Sequence, residues 1–401
     1  MKTIFLTILL CIVSVQISNA EWAQVTNGMG NRFVYSLATG GNNIYAGTNT
    51  YGVYLSTDNG NNWTQTSLNN QSIYSLAVNG NYIFAGTTLS TNGVYLSTNN
   101  GGNWTQTSLN NRAVFSLAVN GNYIFAGTGA DNGVYFSTNN GTSWSQTSLN
   151  NRSVYSLAIN GNNILAGTYF NGLYSSTNNG ASWTQSSLNN KTPYALAING
   201  NNIFAGVGYS GSGSGVYLST DNTITWTQTS LNDDDVLAMS VSGNNIFTGA
   251  NFGVYVSNDN GANWAQRNEG LSNHDVRAFC KINNFLFAGT GGGGVSRRSL
   301  SELTGIKPVS NEVPGIFSLS QNYPNPFNPE TRINFSIPKT HYTILTIYDA
   351  LGKEVETLVN KLLNAGTYET VWTAEKFSSG IYYFKLTSDK FTSTHKMVLL
   401  K

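Results

Sequence analysis

The chain is written in short runs of alternating apolar and polar residues, bounded by Gly, Asn and Ser. That period of two marks half-buried strands, and no helical period interrupts it within the repeating region. Ile73-Tyr74-Ser75-Leu76-Ala77-Val78 predicts a first strand, Tyr82-Ile83-Phe84-Ala85-Gly86 a second and Gly93-Val94-Tyr95-Leu96-Ser97 a third. A fourth opens on tryptophan, as Trp104-Thr105-Gln106-Thr107. Asn-Gly-Asn turns and the octet ending at Trp104 separate them, which is hairpin chemistry throughout.

The whole unit recurs. The octet Ser56-Thr57-Asp58-Asn59-Gly60-Asn61-Asn62-Trp63 returns in variants ending at Trp104, Trp144, Trp183, Trp226 and Trp264, about 40 residues apart. First strands begin near Phe33, Ile73, Val114, Val154, Tyr194, Val236 and Val276. Second and third strands also occur seven times, but the tryptophan strand occurs only six times in phase. After Val295-Ser296-Arg297-Arg298 it is missing, whereas Trp22-Ala23-Gln24 stands one repeat length before Trp63-Thr64-Gln65. Units apolar on both faces must pack on both sides, and a closed ring meets that demand. The expectation is an all-β chain whose residues 21–300 form a seven-bladed β-propeller closed by the N-terminal strand.

Within the octet, Ser and Asp side chains can accept backbone N–H groups of their own turn, and Gly60 allows a positive φ. Asp58 becomes Asn99, Asn139 and Asn178 but stays acidic as Asp221 and Asp259, so an acceptor is needed and a charge is not. Gly is replaced once, by Thr223. The pattern S-x-D-x-G-x-x-W resembles the Asp-box (BNR) repeat of sialidases, xyloglucanases, sortilin-type receptors and photosystem assembly factors. The resemblance covers roughly residues 21–300 and implies a structural hairpin on the face away from an active site.

From Ser301 the composition changes and charged residues become denser. Residues 301–315 read as a linker. Strand-like alternation resumes at Arg332–Ile337, Thr343–Tyr348, Thr367–Trp372, Ile381–Thr387 and Thr394–Leu400, which predicts a small Ig-like β-sandwich. Tyr323-Pro324-Asn325-Pro326-Phe327-Asn328-Pro329, the Leu351-Gly352 turn, Gly380-Ile381-Tyr382 and the final Lys396-Met397-Val398-Leu399-Leu400-Lys401 resemble the type A C-terminal sorting domain of the type IX secretion system. This implies that residues 316–401 engage the secretion machinery, that the protein reaches the cell surface or the medium, and that the domain is removed.

Composition narrows the picture. Only 10% of residues are charged while Gly numbers 42 and aromatics reach 12%, the profile of a turn-rich β protein rather than a disordered chain. Met1–Ala20, with Lys2, an apolar run from Ile4 to Val15 and small residues at Ser18 and Ala20, reads as a secretory signal peptide. No other run is long enough to span a bilayer. Removing Lys2 with the leader leaves acids and bases equal in number, so no electrostatic footprint for nucleic acid exists. Cys280 then remains as a lone cysteine, read as a small buried residue. A monomer is expected.

The loops after the fourth strands set Arg32, Gln71, Arg112, Arg152, Lys191, Asp234 and His274 at equivalent positions before the first strands. Seven-fold repetition would ring them round the channel mouth, basic on one side and acidic at Asp233–Asp235 and Asp275 on the other. Arg32, Arg112, Arg152, Lys191, Asp234 and His274 are therefore the candidate ligand-binding residues, for a glycan or a protein. The alternative is a glycoside hydrolase of the Asp-box class, which needs two carboxylates flanking the bond. Between Glu21 and Glu269 there is no other Glu, and Asp234 with Asp275 is the pair to nominate. His274, His341 and His395 have no metal-ligand spacing, so no metal or cofactor is expected.

Overall fold

The computed structural model describes residues 21–209, 213–303, 306–310, 313–374 and 377–401. The expected signal peptide, residues 1–20, lies outside them, as does the middle of the Gly208–Gly215 loop. Among the described residues the strands form nine four-stranded antiparallel sheets, seven before residue 300 and two after it. The first sheet joins β2 (Val34–Gly40), β3 (Asn43–Thr48), β4 (Gly52–Ser56) and β5 (Thr64–Gln65) in chain order. Sheets two to six repeat that order from first strands Ile73–Asn79, Val114–Asn120, Val154–Asn160, Pro193–Asn199 and Val236–Ser242. The seventh takes its first three strands from Val276–Ile282, Phe285–Thr290 and Gly294–Ser299. Its fourth is β1 (Ala23–Gln24), with Ala23 paired to Arg297 and Gln24 to Ser296.

The first strand of each sheet touches those of the sheets before and after it, and the seventh touches the first. Second strands therefore lie between two neighbouring sheets. Ile44 through Thr48 are buried without a break, and the equivalent strands repeat the pattern. The approach is close enough to require glycine. A Cβ on Gly47 would fall 2.7 Å from the Ile73 side chain of the next sheet.

The repeated octet folds as its chemistry suggests. Ser56 Oγ accepts from the Gly60 amide at 2.8 Å, and Asp58 Oδ1 from the Asn62 amide at 2.9 Å. Where Asn replaces Asp the same bond forms, as from the Asn103 amide to Asn99 Oδ1 at 2.8 Å. Gly60 has φ +80°.

After residue 300, the expected linker contains one helical turn, Leu300–Leu303, and an edge strand, Ile306–Ser310, paired with Gly366–Thr373. That sheet continues through Glu330–Ile337 to Ser318–Leu319. The other orders Glu354–Leu363, His341–Asp349, Gly380–Ser388 and Phe391–Leu399. One core joins them: Ile333, Phe335 and Trp372 from the first meet Leu345, Ile347 and Phe384 from the second. Glu354–Leu363 was not among the expected strands. Its ladder to His341–Asp349 slips twice, between Leu345 and Thr346 and between Ile347 and Tyr348, and each slip breaks the alternation.

Candidate functional site

Every first strand of the seven sheets carries the same irregularity. The ladder to the second strand slips between Val34 and Ser36, and again at Ile73/Ser75, Val114/Ser116, Val154/Ser156, Pro193/Ala195, Val236/Ala238 and Val276/Ala278. The residues inside the slips have no ladder partner. They are Tyr35, Tyr74, Phe115, Tyr155, Tyr194, Leu237 and Arg277 in turn. A bulge re-aims the side chain it carries, and here all seven converge on one cavity of about 140 Å³, lined also by Tyr209.

The rings follow one another round this cavity. Centroid separations are 4.6 Å for Tyr35–Tyr74, 5.4 Å for Tyr74–Phe115, 4.8 Å for Phe115–Tyr155 and 5.1 Å for Tyr155–Tyr194. Tyr209 adds an edge-on contact to Tyr194 at 5.3 Å. The Arg277 guanidinium lies 5.0 Å over the Phe33 ring, which itself sits 4.5 Å from Tyr35. Its Nε donates to Asp275 Oδ2 at 2.9 Å and its Nη2 to the Tyr209 hydroxyl at 3.2 Å.

Burial pushes the Tyr74 phenol up to about 12 and raises Tyr194 as well, so both remain protonated donors at neutral pH. Among the described residues the hydroxyls of Tyr35, Tyr74, Tyr155 and Tyr194 meet no hydrogen-bond partner. This collar therefore presents aromatic faces, unspent phenol hydroxyls and one guanidinium partly neutralised by Asp275. Tyr51, Tyr169, Phe170, Tyr209 and Phe252 are exposed on the loops after second strands. Phe170 and Tyr209 sit there at φ +52° and +49°, a conformation costly for bulky residues.

The residues nominated from sequence are not among those lining this cavity. The Arg32 guanidinium stacks 3.6 Å over the Tyr51 ring, and Arg152 Nε donates to the Tyr174 hydroxyl at 3.4 Å. The Lys191 ammonium lies 6.0 Å from the centre of the Tyr217 ring. Arg112 Nη1 donates to the Asn111 carbonyl at 2.8 Å, and His274 is exposed. Asp234 is 3% exposed, accepts from the Phe252 amide and the Tyr255 hydroxyl, and is raised by its burial. Tyr174, Tyr217 and Tyr255 belong to third strands. Each of those three charged side chains thus meets a tyrosine of its own sheet. Asp275, the other nominated carboxylate, is held by Arg277. The collar was legible as an aromatic at one repeat position in five of seven units, and counting charged positions passed over it.

Among the described residues no group of His, Cys, Asp or Glu has the arrangement to hold a metal ion, and no helix is long and apolar enough to cross a membrane.

Comparison with known proteins separates the two halves. Residues 321–400 match the secretion system C-terminal sorting domain, and residues 71–196 match the DUF6242 β-propeller domain. No curated protein matches the sequence. Among solved structures the chain is similar to PorZ, a bacterial surface component of the type IX secretion system of Porphyromonas gingivalis. Identity is 15% and TM-score 0.57, over 92% of this chain and 60% of that one. It is similar also to YCF48 from Cyanidioschyzon merolae, at 16% identity and TM-score 0.57, over 70% and 98%. The GH74 xyloglucanase of Xanthomonas campestris gives 16% and 0.55, over 70% and 54%. Such likenesses fix the fold: a β-propeller of repeated four-stranded sheets. The tail fixes the route. The sorting domain marks a protein exported by the type IX secretion system to the cell surface or the medium, in contact with that machinery on the way.

Proposed function

We propose that this exported protein is a non-catalytic binding module: a seven-bladed propeller closed by its N-terminal strand, carrying Asp-box turns on one rim and its ligand site on the other. The tail is an Ig-like sandwich removed after export, and the mature protein is a monomer. The ligand is polar, a glycan or a protein segment, and its seat is the aromatic collar rather than the charged residues before the first strands. One observation carries this reading. Seven equivalent bulges turn five aromatic rings and Arg277 onto a single mouth, and four phenol hydroxyls there have no partner among the described residues. Stacking faces ringed by free donors suit sugar rings and planar peptide groups. Arg32, Arg152 and Lys191, resting against tyrosines, tune the surrounding field.

The test is a glycan and peptide array probed with the wild type, a Tyr74→Ala/Tyr155→Ala collar variant and an Arg32→Ala/Arg112→Ala/Arg152→Ala variant. The collar variant is expected to lose binding at least tenfold, equivalent to about 1.4 kcal/mol, while the arginine variant retains it. Binding that survives the collar changes but not the arginine changes returns the site to the charged residues. Turnover of an arrayed sugar would remove the non-catalytic part of the proposal.

A further inference from the structure

The internal repeat lets each sheet be compared with the other six, and the seam between the fourth and fifth departs at three positions that meet in space. In the other second strands the third residue is a fully buried ring: Tyr45, Phe84, Phe125, Phe204, Phe247 and Phe287, none above 1% exposed. In sheet four it is Leu165. The cross-strand partner of that residue is Leu55, Leu96, Phe136, Leu218, Val256 or Arg297 elsewhere, and Ser175 here.

The third departure is on the following sheet. In three octets the glycine faces the ring of the preceding sheet so closely that a Cβ on Gly60 would lie 2.7 Å from Phe287, one on Gly261 3.0 Å from Phe204 and one on Gly141 3.1 Å from Phe84. Facing Leu165, that glycine is replaced by Thr223, a β-branched residue held at φ +75°. Side chains of this shape rarely adopt that conformation, and strain kept in a fold concentrates at functional positions. Thr223 Oγ1 reaches Ser175 Oγ at 3.5 Å, yet it does not refill the space. A cavity of about 290 Å³ remains, open to the surface on the octet rim. Leu165, Ile198 and Ile203 form its apolar wall, and Asn163, Ser175 and Asn222 its polar edge.

We infer that this seam between the fourth and fifth sheets is a binding pocket for a small phenol, a single aromatic ring bearing a hydroxyl. The ring would take the position that a phenylalanine or tyrosine fills from within at the other seams, between the same strand pair and the following octet. Its hydroxyl would meet Ser175 or the flanking asparagines. Apolar cavities of roughly half this volume are known to admit benzene. The pocket lies on the rim opposite the collar and does not rest on the collar's role.

The probe is p-cresol, titrated by calorimetry and ligand-observed NMR into the full chain from Glu21. Saturable binding at one site per chain is expected. It should weaken at least tenfold in Leu165→Phe/Ser175→Leu/Thr223→Gly, which installs the residues that other sheets already accommodate, and also in Ser175→Leu alone, which narrows the mouth without touching the strained turn. The Tyr74→Ala/Tyr155→Ala variant should bind p-cresol as the wild type does. Absence of saturable binding to the wild type overturns the inference, and so does undiminished binding by a folded refilled variant.

Discussion

Replacing Trp22 by alanine tests how the ring of sheets is closed. Trp22 is 3% exposed, its indole Nε1 donates to the Arg267 carbonyl at 2.7 Å, and its amide donates to the Glu269 carbonyl at 2.7 Å. It packs with Phe247, Val254, Val276 and Leu286 of the sixth and seventh sheets. Burying roughly 200 Å² of indole at ~25 cal/mol per Å² gives about 5 kcal/mol, an upper value because the unfolded chain hides part of that area. Tryptophan-to-alanine changes in cores cost ~3–5 kcal/mol, and the lost indole bond leaves a carbonyl without its partner. A loss of about 4 kcal/mol, at roughly 2–4 °C per kcal/mol for chains of this size class, lowers the propeller melt by about 10 °C. Circular dichroism or differential scanning calorimetry reads it directly, with exposed Glu21→Ala as the unaffected control. A shift below about 2 °C would mean that the short strand Ala23–Gln24 decorates an already closed ring, and the closure argument would fail.

Two further outcomes follow from other residues. The Asp234 carboxyl is raised by burial, and its Oδ1 has no partner among the described residues. A raised acid favours folding most below its unfolded value and loses that favour as pH rises through the folded value. Asp234→Asn should therefore melt higher than the wild type at pH 7, with the gap closing as pH falls toward the ordinary aspartate range; a gap independent of pH contradicts it. In the tail, Met397 and Leu399 are fully buried, and the Leu400 amide donates to the Phe327 carbonyl at 3.0 Å. Deleting residues 396–401 removes the last strand's anchorage and should strand the protein short of the cell surface. Immunoblots of surface, medium and periplasmic fractions check this, and normal surface display of the truncated chain would refute it.

How much of this was readable beforehand depends on what repeated. Strand number, turn position and the N-terminal completion of the last sheet were legible because Trp63 and its counterparts mark one fixed point per unit. The octet was legible down to its bonds, since Asp and Asn alternating at residue 58 and its equivalents already implied an acceptor without a charge. Direction was not legible. Arg32, Arg152 and Lys191 each meet a tyrosine that sequence order does not bring near. The collar was hidden for a related reason: a bulge breaks the period of two, so Tyr35 reads as one more alternating residue when it is the unpaired one. In the tail, the double slip opposite Glu354–Leu363 hid a whole strand. Thr223 lies 48 residues beyond Ser175, and only the cross-strand register that pairs Leu165 with Ser175, together with the neighbouring sheet, turns three separate oddities into one cavity.

The bulges also explain how a ring so regular can acquire an orientation. A residue inside a ladder slip has no partner strand to satisfy, so its identity can change without disturbing the sheet behind it. Leu237 and Arg277 occupy two such positions side by side, on sheets six and seven, while sheets one to five keep an aromatic ring. The collar is thus asymmetric: aromatic along most of its circumference, with its single cation fixed by Asp275, Phe33 and Tyr209. A ligand seated on the rings would turn its most electron-rich group toward sheet seven, because no other collar side chain carries charge. Replacing Arg277 should then cost affinity without abolishing stacking, whereas losing Tyr74 and Tyr155 removes the surface on which any orientation is possible.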